Sequence, residues 1–398
     1  MTELIQQSLA WPTYEQGDSF ISTRDEEMGL AAIRERRYFR YDSRTLDQTR
    51  VGRFERRVTE VYGTKYALAC TSGTTAIALA LLGLDLPPGS PVACSGFTFA
   101  AVPSAVILAG HRPVLVESDE NLHMDVDDLR SKLSDGVAAV LVVHMRGMAS
   151  DMDAICAAAA HAGVPVVEDA VAVMGVSLRG RRLGTFGDAG AFSTQADKPV
   201  NTGEGGFLIT RQAELYARAI VYCGAYEGRL GRHFTGDVAP SLDERSLPVY
   251  GWRMDEIRAA LATSMLDRLP DRIAVQRRNH DWVIPRIEAI EGIAPRRPIS
   301  PDSYSGQHLL FRLEGAAPDD VTRVVAQLRL AGVAARDYID HAETYNSRAF
   351  WNWKFIRSRE ELPRTRKTLM ELIEVPMSPN LTMSHLEHLV MSLEHVTA

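Results

Sequence analysis

From about residue 60 to about residue 210 the chain alternates short apolar runs with amphipathic stretches of helical length, and this alternation is what most restricts its fold. Strands and helices that each carry an apolar face bury them together in a largely parallel sheet covered by helices on both sides. The runs predict strands at Tyr66–Ala69, Pro91–Cys94, Pro113–Glu117, Val137–Val143, Val164–Glu168, Gly190–Ser193 and Gly206–Thr210. Between them the pattern predicts helices over Thr74–Leu84, Ala100–Ala109 and Met152–Ala162. Pro87-Pro88-Gly89, Ala109-Gly110 and Ala162-Gly163 stand where the chain should turn. Beyond Gly251 the texture changes. Helix-like segments at Asp255–Leu269 and from Asp271 to about Ile290 precede a strand at His308–Leu313, a helix at Asp319–Ala331, a strand at Val333–Tyr338 and a last helix at Met383–Leu393. The expected architecture is α/β: an arm over 1–20, a large three-layer α/β/α domain with a mostly parallel sheet over 21–250, and a smaller C-terminal α+β domain over 251–398.

Composition narrows the function. A chain of 398 residues with a net charge of −7 has no electrostatic attraction for nucleic acid or an anionic membrane, and no basic stripe appears. The N-terminal residues lack the charged and apolar regions of a signal peptide, and no apolar stretch is long enough to span a bilayer. Cys70, Cys94, Cys156 and Cys223 are widely spaced and form no CxxC pair, which suits core residues of a cytoplasmic protein and offers no metal site.

Four segments at the carboxyl ends of expected strands carry the chemistry, and that edge is where open α/β sheets bind ligands. Thr71-Ser72-Gly73-Thr74-Thr75 opens a helix, where free N–H groups and a glycine suit a phosphate, although Ser72 also reads as a plain N-cap. Phe97-Thr98-Phe99 offers an aromatic that stacks on a ring or fills the core. Glu168 and Asp169 end an apolar strand, and a buried carboxylate there needs a partner. Ser193 and Thr194, whose hydroxyls can share the phosphate, precede Lys198, which sits ahead of the Gly203-Glu204-Gly205-Gly206 turn. A lysine amine attacks a carbonyl only when neutral, so a reactive one needs a partly desolvated place. Together these segments ask for a phosphate, a flat ring, a cationic ring nitrogen and an aldehyde. Pyridoxal 5'-phosphate has all four.

With these segments, and with Trp11-Pro12, Phe54-Glu55, His144-Met145-Arg146-Gly147, Asp151-Met152-Asp153 and Gly187-Asp188-Ala189 in order, nearly the whole chain resembles the DegT-type sugar aminotransferases, a family that includes cyclitol aminotransferases and amino-hydroxybenzoate synthases. The resemblance implies the pyridoxal-phosphate-dependent transferase fold and a homodimer with shared active sites. It also implies transfer of an amino group from glutamate or glutamine to a keto sugar, cyclitol or related compound in antibiotic or glycan biosynthesis. In the family, the residue matching Lys198 binds the cofactor as a Schiff base and then shuttles a proton. The one matching Asp169 pairs with the ring nitrogen, those matching Ser72, Gly73, Thr74 and Ser193 hold the phosphate, and the one matching Phe99 stacks on the ring.

Two positions depart from the family pattern. Ala172 stands where Gln or His usually lies near the cofactor's phenolic oxygen, and an alanine donates no hydrogen bond. Gly251 stands where an asparagine is often lent to the neighbouring subunit, so either Tyr250 substitutes or the contact is absent. The loss at Ala172 keeps elimination, decarboxylation or carbon–carbon bond formation open as other reactions of the same cofactor. A noncatalytic relative is a third reading, disfavoured by Lys198 and Asp169. Variable segments at Gly224–Pro248 and His341–Trp353 are the candidates for substrate selection, and their Arg229, Arg232 and His233 either meet an acidic group or belong to a solvated loop. The Trp351-Asn352-Trp353 cluster reads equally as packing or as a surface.

Overall fold

The computed structural model describes residues 10–12, 21–236, 241–341, 344–356 and 361–397. A seven-stranded sheet forms from β1 (Tyr66–Cys70), β2 (Pro91–Ser95), β3 (Arg112–Val116), β4 (Ala139–Val143), β5 (Val166–Asp169), β8 (Ala189–Ser193) and β9 (Gly206–Thr210) in the order β1-β9-β8-β5-β4-β2-β3, with a hairpin of β6 (Ser177–Leu178) and β7 (Arg181–Arg182) beside it. Strand β9 runs antiparallel to both β1 and β8, and every other pairing in the sheet is parallel. The expectation of a largely parallel sheet therefore holds with one strand reversed.

Helices cover both faces, which is why these strands read as continuous apolar runs. Alternation still sorts the side chains: Leu68 and Leu208 belong to one core, Ala67, Phe207 and Ile209 to the other. The helix Gly73–Gly83 is buried almost all round, consistent with its unbroken Ala/Leu/Ile composition.

A second sheet forms from β10 (Ile293–Pro295), β11 (His308–Leu313), β12 (Arg336–Asp337) and β13 (Leu372–Pro376) in the order β10-β11-β13-β12, entirely antiparallel and with its own apolar core. Strand β12 is shorter than the Val333–Tyr338 run that suggested it. Strand β13 was not foreseen, because Glu374 interrupts the run; this carboxylate is buried and paired with Arg146. The helix Leu269–Glu288 joins the two bodies, with Leu269 and Ile273 in one core of the large sheet and Val283, Ile284 and Ile287 in the core of the small one. Of the expected arm over 1–20 only residues 10–12 are described, and there Trp11 is buried and its indole N–H donates to the Pro376 carbonyl at 2.9 Å.

The four cysteines are free, and Cys70, Cys94 and Cys223 are buried. Among the described residues no helix is long and apolar enough to cross a membrane.

One polar cluster ties the N-terminal segments to β1. The Arg40 Nη2 donates to both oxygens of Glu55 at 2.9 and 2.8 Å, and Glu55 also accepts the Ala69 N–H at 2.7 Å. His233 closes the cluster with the Tyr41 hydroxyl at 2.5 Å. Since removing one member of a buried pair strands the other, Arg40→Met is expected to destabilise the protein by about 3–5 kcal/mol in denaturant titrations. A loss below about 1 kcal/mol would show that the pair is dispensable.

Candidate active site

A cavity of about 590 Å³ opens at the carboxyl ends of the parallel strands, between the two sheets, and all four expected segments reach it. Ser72, Gly73 and Thr74 line one end. Ser72 is the N-cap of the helix Gly73–Gly83: its hydroxyl accepts the Thr75 N–H at 3.1 Å, and the Thr75 hydroxyl accepts the Ser72 N–H at 2.9 Å. Capping and cavity lining thus coexist at this serine.

Gly73 lies tight against β8, where a Cβ would come within 2.8 Å of the Ser193 Cβ. Gly206 is equally constrained, since a Cβ there would meet the Ser72 carbonyl carbon at 2.5 Å. These glycines let the helix start approach two strand ends. Ser193 lines the same end, with its hydroxyl accepting the Gln195 N–H at 3.2 Å. Thr194, expected to share this role, turns away: its hydroxyl meets that of Thr202 at 2.7 Å and it does not line the cavity. Successive side chains leave a strand on opposite sides, so only one of the pair can face the ligand.

The same alternation separates the two carboxylates. Glu168 is fully buried and accepts the N–H groups of Gly184, Phe186 and Gly187 at 2.7, 2.6 and 2.8 Å. It also holds His144 Nε2 at 3.2 Å, while His144 Nδ1 accepts the Ser150 N–H at 3.1 Å. Asp169 faces the cavity instead. One of its oxygens accepts the Val171 N–H at 3.1 Å. Burial raises the Asp169 carboxyl to about 6, against the pull of that N–H and of the charges on His144 and Lys198.

Lys198 lines the cavity with its Nζ 2.9 Å from Asp197 Oδ2. Its loop is gripped from behind, since Arg272 Nη1 donates to the carbonyls of Lys198 and Pro199 at 3.4 and 3.0 Å. Of the two phenylalanines, Phe97 is core and packs on Tyr338, whereas Phe99 is 48% exposed on the cavity wall. Thr98 between them also lines the cavity, and its buried hydroxyl has no hydrogen-bond partner among the described residues.

The match to known proteins agrees with this geometry. The model of the DegT/DnrJ/EryC1/StrS aminotransferase family fits residues 40–394. The chain belongs to that family. It is a pyridoxal-phosphate-dependent aminotransferase. Similar relatives of this DegT-family aminotransferase include GDP-perosamine synthase of Caulobacter vibrioides, 28% identical over 71% of this chain and 74% of that one. Another is 3-amino-5-hydroxybenzoate synthase of Amycolatopsis mediterranei, 28% identical over 86% and 83%. Among solved structures, Helicobacter pylori PseC superposes with a TM-score of 0.81 at 16% identity, over 94% of this chain and 96% of that one, a likeness of fold.

The residues present fit the cofactor. A desolvated carboxylate awaits a cation, a buried hydroxyl lacks a partner, and a glycine-lined helix start faces a serine across a gap that a side chain would fill.

Ala172 lines the cavity, and Gln307 reaches it from the small sheet, its Nε2 donating to the Ala172 carbonyl. Gly251 is exposed, and Tyr250 stacks on Trp252 at 4.4 Å and Tyr222 at 6.0 Å without lining this cavity. Within the Gly224–Pro248 segment, whose residues 237–240 lie outside the described ones, Arg229 donates to the Tyr226 carbonyl, Arg232 to those of Asp42 and Arg44, and His233 is buried against Tyr41. None lines this chain's cavity: His233 is buried, Arg229 is half-buried beside Glu227, and Arg232 is exposed. Trp353 is core, and the Trp351 indole donates to Asp340 at 2.7 Å. Arg146, Gln307 and Glu374 line the cavity and were not foreseen as site residues, whereas Arg348, also in the wall, falls within the His341–Trp353 segment expected to select substrate. The signal available was Glu374 itself, a carboxylate inside an apolar run that has to find a cation.

Two predictions follow from this geometry. Because the Asp169 carboxyl is raised above its unfolded value, the folded protein binds more protons between about pH 4 and 6, and stability falls as pH rises through that window. At about 1.4 kcal/mol per pH unit the penalty reaches roughly 3 kcal/mol above pH 6. In denaturant titrations of cofactor-free protein, Asp169→Asn should therefore exceed wild type at pH 8, with the gap narrowing toward pH 5; a gap independent of pH would contradict it. Gly73→Ala should fold but weaken cofactor binding at least about tenfold in absorbance titrations, since relieving the 2.8 Å contact with Ser193 widens the helix start.

Proposed function

We propose that this aminotransferase moves an amino group from glutamate or glutamine to a keto sugar, cyclitol or related keto compound, with Lys198 and Asp169 as its catalytic residues. The observation that carries this reading is that Lys198, Asp169, Phe99 and the Ser72-Gly73-Thr74/Ser193 cluster, from four different segments, line one cavity. The GDP-perosamine synthase and 3-amino-5-hydroxybenzoate synthase relatives support the acceptor class and a place in glycan or antibiotic biosynthesis.

When bound, pyridoxal phosphate supplies an aldehyde that captures amines and a protonated ring that withdraws electrons. Gly73 and Thr74, at the positive end of an eleven-residue helix, and the Ser72 and Ser193 hydroxyls hold the phosphate. Asp169 keeps the ring nitrogen protonated, and its desolvation strengthens that pairing. Glu168 fixes His144 and the 184–187 turn around it. Phe99 would cover one face of the ring, and Gln307 holds the Ala172 backbone in place through its amide.

Lys198 would hold the cofactor through its amine, and the same amine, when free, would take a proton from the substrate carbon and return one on the other side of the exchange. Asp197 keeps that amine in position between these steps. The active unit is a homodimer with shared sites, and its four free cysteines suit a reducing cytoplasm.

The test is a single turnover. Adding L-glutamate or L-glutamine to the cofactor-loaded protein should convert its visible absorption to that of the pyridoxamine form. Lys198→Ala should lose the lysine-dependent absorption and reduce conversion by at least about 10³-fold, within the usual reach of acid–base catalysis. No conversion with any common amino donor would overturn the reading.

A further inference from the structure

The wall contributed largely by the small sheet carries more fixed positive charge than amino transfer itself requires. Arg146, Arg336 and Arg348 line it, with Glu374 among them and Asp197 of the lysine loop near enough to attract Arg146. Glu374 is already committed: it pairs with Arg146 Nε at 2.9 Å and accepts the Tyr338 hydroxyl at 2.5 Å. His308, 3.6 Å from Glu374, adds no charge, because burial and the neighbouring Arg146 push its imidazole down to about 3.

Arg146 Nη2 is buried and has no hydrogen-bond partner among the described residues. No described side chain pairs with the Arg348 guanidinium, which is partly desolvated and stands close enough to Arg146 to be repelled by it. Its backbone N–H is anchored by the Asn346 side chain at 2.9 Å, so the loop delivers Arg348 to the wall deliberately placed. The placement of Arg146 is also constrained, because it occupies a left-handed backbone conformation with φ 58° and ψ 30°, strained for a residue with a Cβ. Two guanidiniums on one cavity wall, one of them with a buried donor lacking a partner among the described residues, suit a further anion. The phosphate end of the cavity lies elsewhere, at Gly73 and Ser193, so this anion belongs to the substrate. A planar guanidinium fork matches a planar carboxylate.

We propose that Arg146 and Arg348 form a carboxylate subsite, and that the acceptor is an acidic keto compound bearing its carboxylate close to the ketone rather than a neutral sugar. The same subsite takes the carboxylate of the amino donor in the opposite half-reaction. Glu374 and Tyr338 act beneath it as positioning residues for Arg146. This inference rests on the amino-transfer reading for its chemistry, but the binding it predicts can be measured without turnover.

Benzoate titrated by calorimetry into the cofactor-loaded protein should bind. Its dissociation constant should rise about 10- to 100-fold in Arg348→Met, as expected on losing a charge-assisted hydrogen bond, and partly recover in Arg348→Lys, with the cofactor's absorption unchanged. In single turnovers of the pyridoxamine-phosphate-loaded protein, 3-oxocyclohexane-1-carboxylate should react at least about tenfold more efficiently than cyclohexanone, and Arg348→Met should erase that advantage. Uridine diphosphate serves as the competing probe. If it displaces benzoate and its binding alone is lost in Arg348→Met, the subsite reads a nucleotide diphosphate and the proposal falls. It falls equally if benzoate does not bind or binds both proteins alike. Failure of every ketone and amino donor to react, with benzoate binding still dependent on Arg348, would remove the amino-transfer reading and leave the subsite standing.

Discussion

The active site depends on two adjacent carboxylates being sent to opposite sides of one strand. Glu168 and Asp169 are identical in charge and one residue apart, yet Glu168 is saturated by three backbone N–H groups and His144 whereas Asp169 keeps only one such bond. The first is an anchor that fixes the turn over 184–187 and the imidazole beside it. The second is left with unmet demand for a cation in a place where water cannot supply it. Without the anchor, the end of β5 would be free to relax and the demand would dissipate into solvent.

Around that point the cavity is polarised. At one end lie a helix N-terminus and small hydroxyls, which suit a phosphate; at the other lie guanidiniums backed by a buried carboxylate and phenol. Lys198 stands with Asp197 in the same cavity. The large sheet furnishes the groups expected to hold and activate a cofactor, while much of the wall that would meet the reacting partner comes from segments beyond residue 300. Cofactor and substrate recognition are thus encoded in different stretches of chain, which can diverge independently.

Much of this was legible in the sequence, and the reasons are local. Strands buried on both faces leave continuous apolar runs, so β4 and β9 were plain, and β9 matched to the residue. The reversal of β9 was not legible, because apolar runs carry no direction. At the site, residues placed next to glycines or at strand ends announced themselves, as with Gly73, Asp169 and Lys198. Thr194 misled because its hydroxyl is chemically right and only the pleat decides where it points. Arg146 and Gln307 escaped notice since their significance comes from packing across well over a hundred residues of chain, as the Arg146–Glu374 pair shows. Arg229, Arg232 and His233 show how a polar cluster is ambiguous in sequence: here they bond neighbouring backbone carbonyls and a tyrosine, with Arg232 exposed.

The helix Leu269–Glu288 gives the reactive loop an unusual status. Its first turns hold the carbonyls of Lys198 and Pro199 through Arg272, its middle reaches the Met377 carbonyl through Gln276, and its last turns are part of the small-sheet core. A loop that on its own would belong to the low-stability fraction of the molecule is therefore coupled to the cooperative unfolding unit of both bodies. Release of the lysine backbone by local fraying is thermodynamically joined to the loosening of the whole inter-sheet junction, so amide protons behind Lys198 report on global rather than local opening.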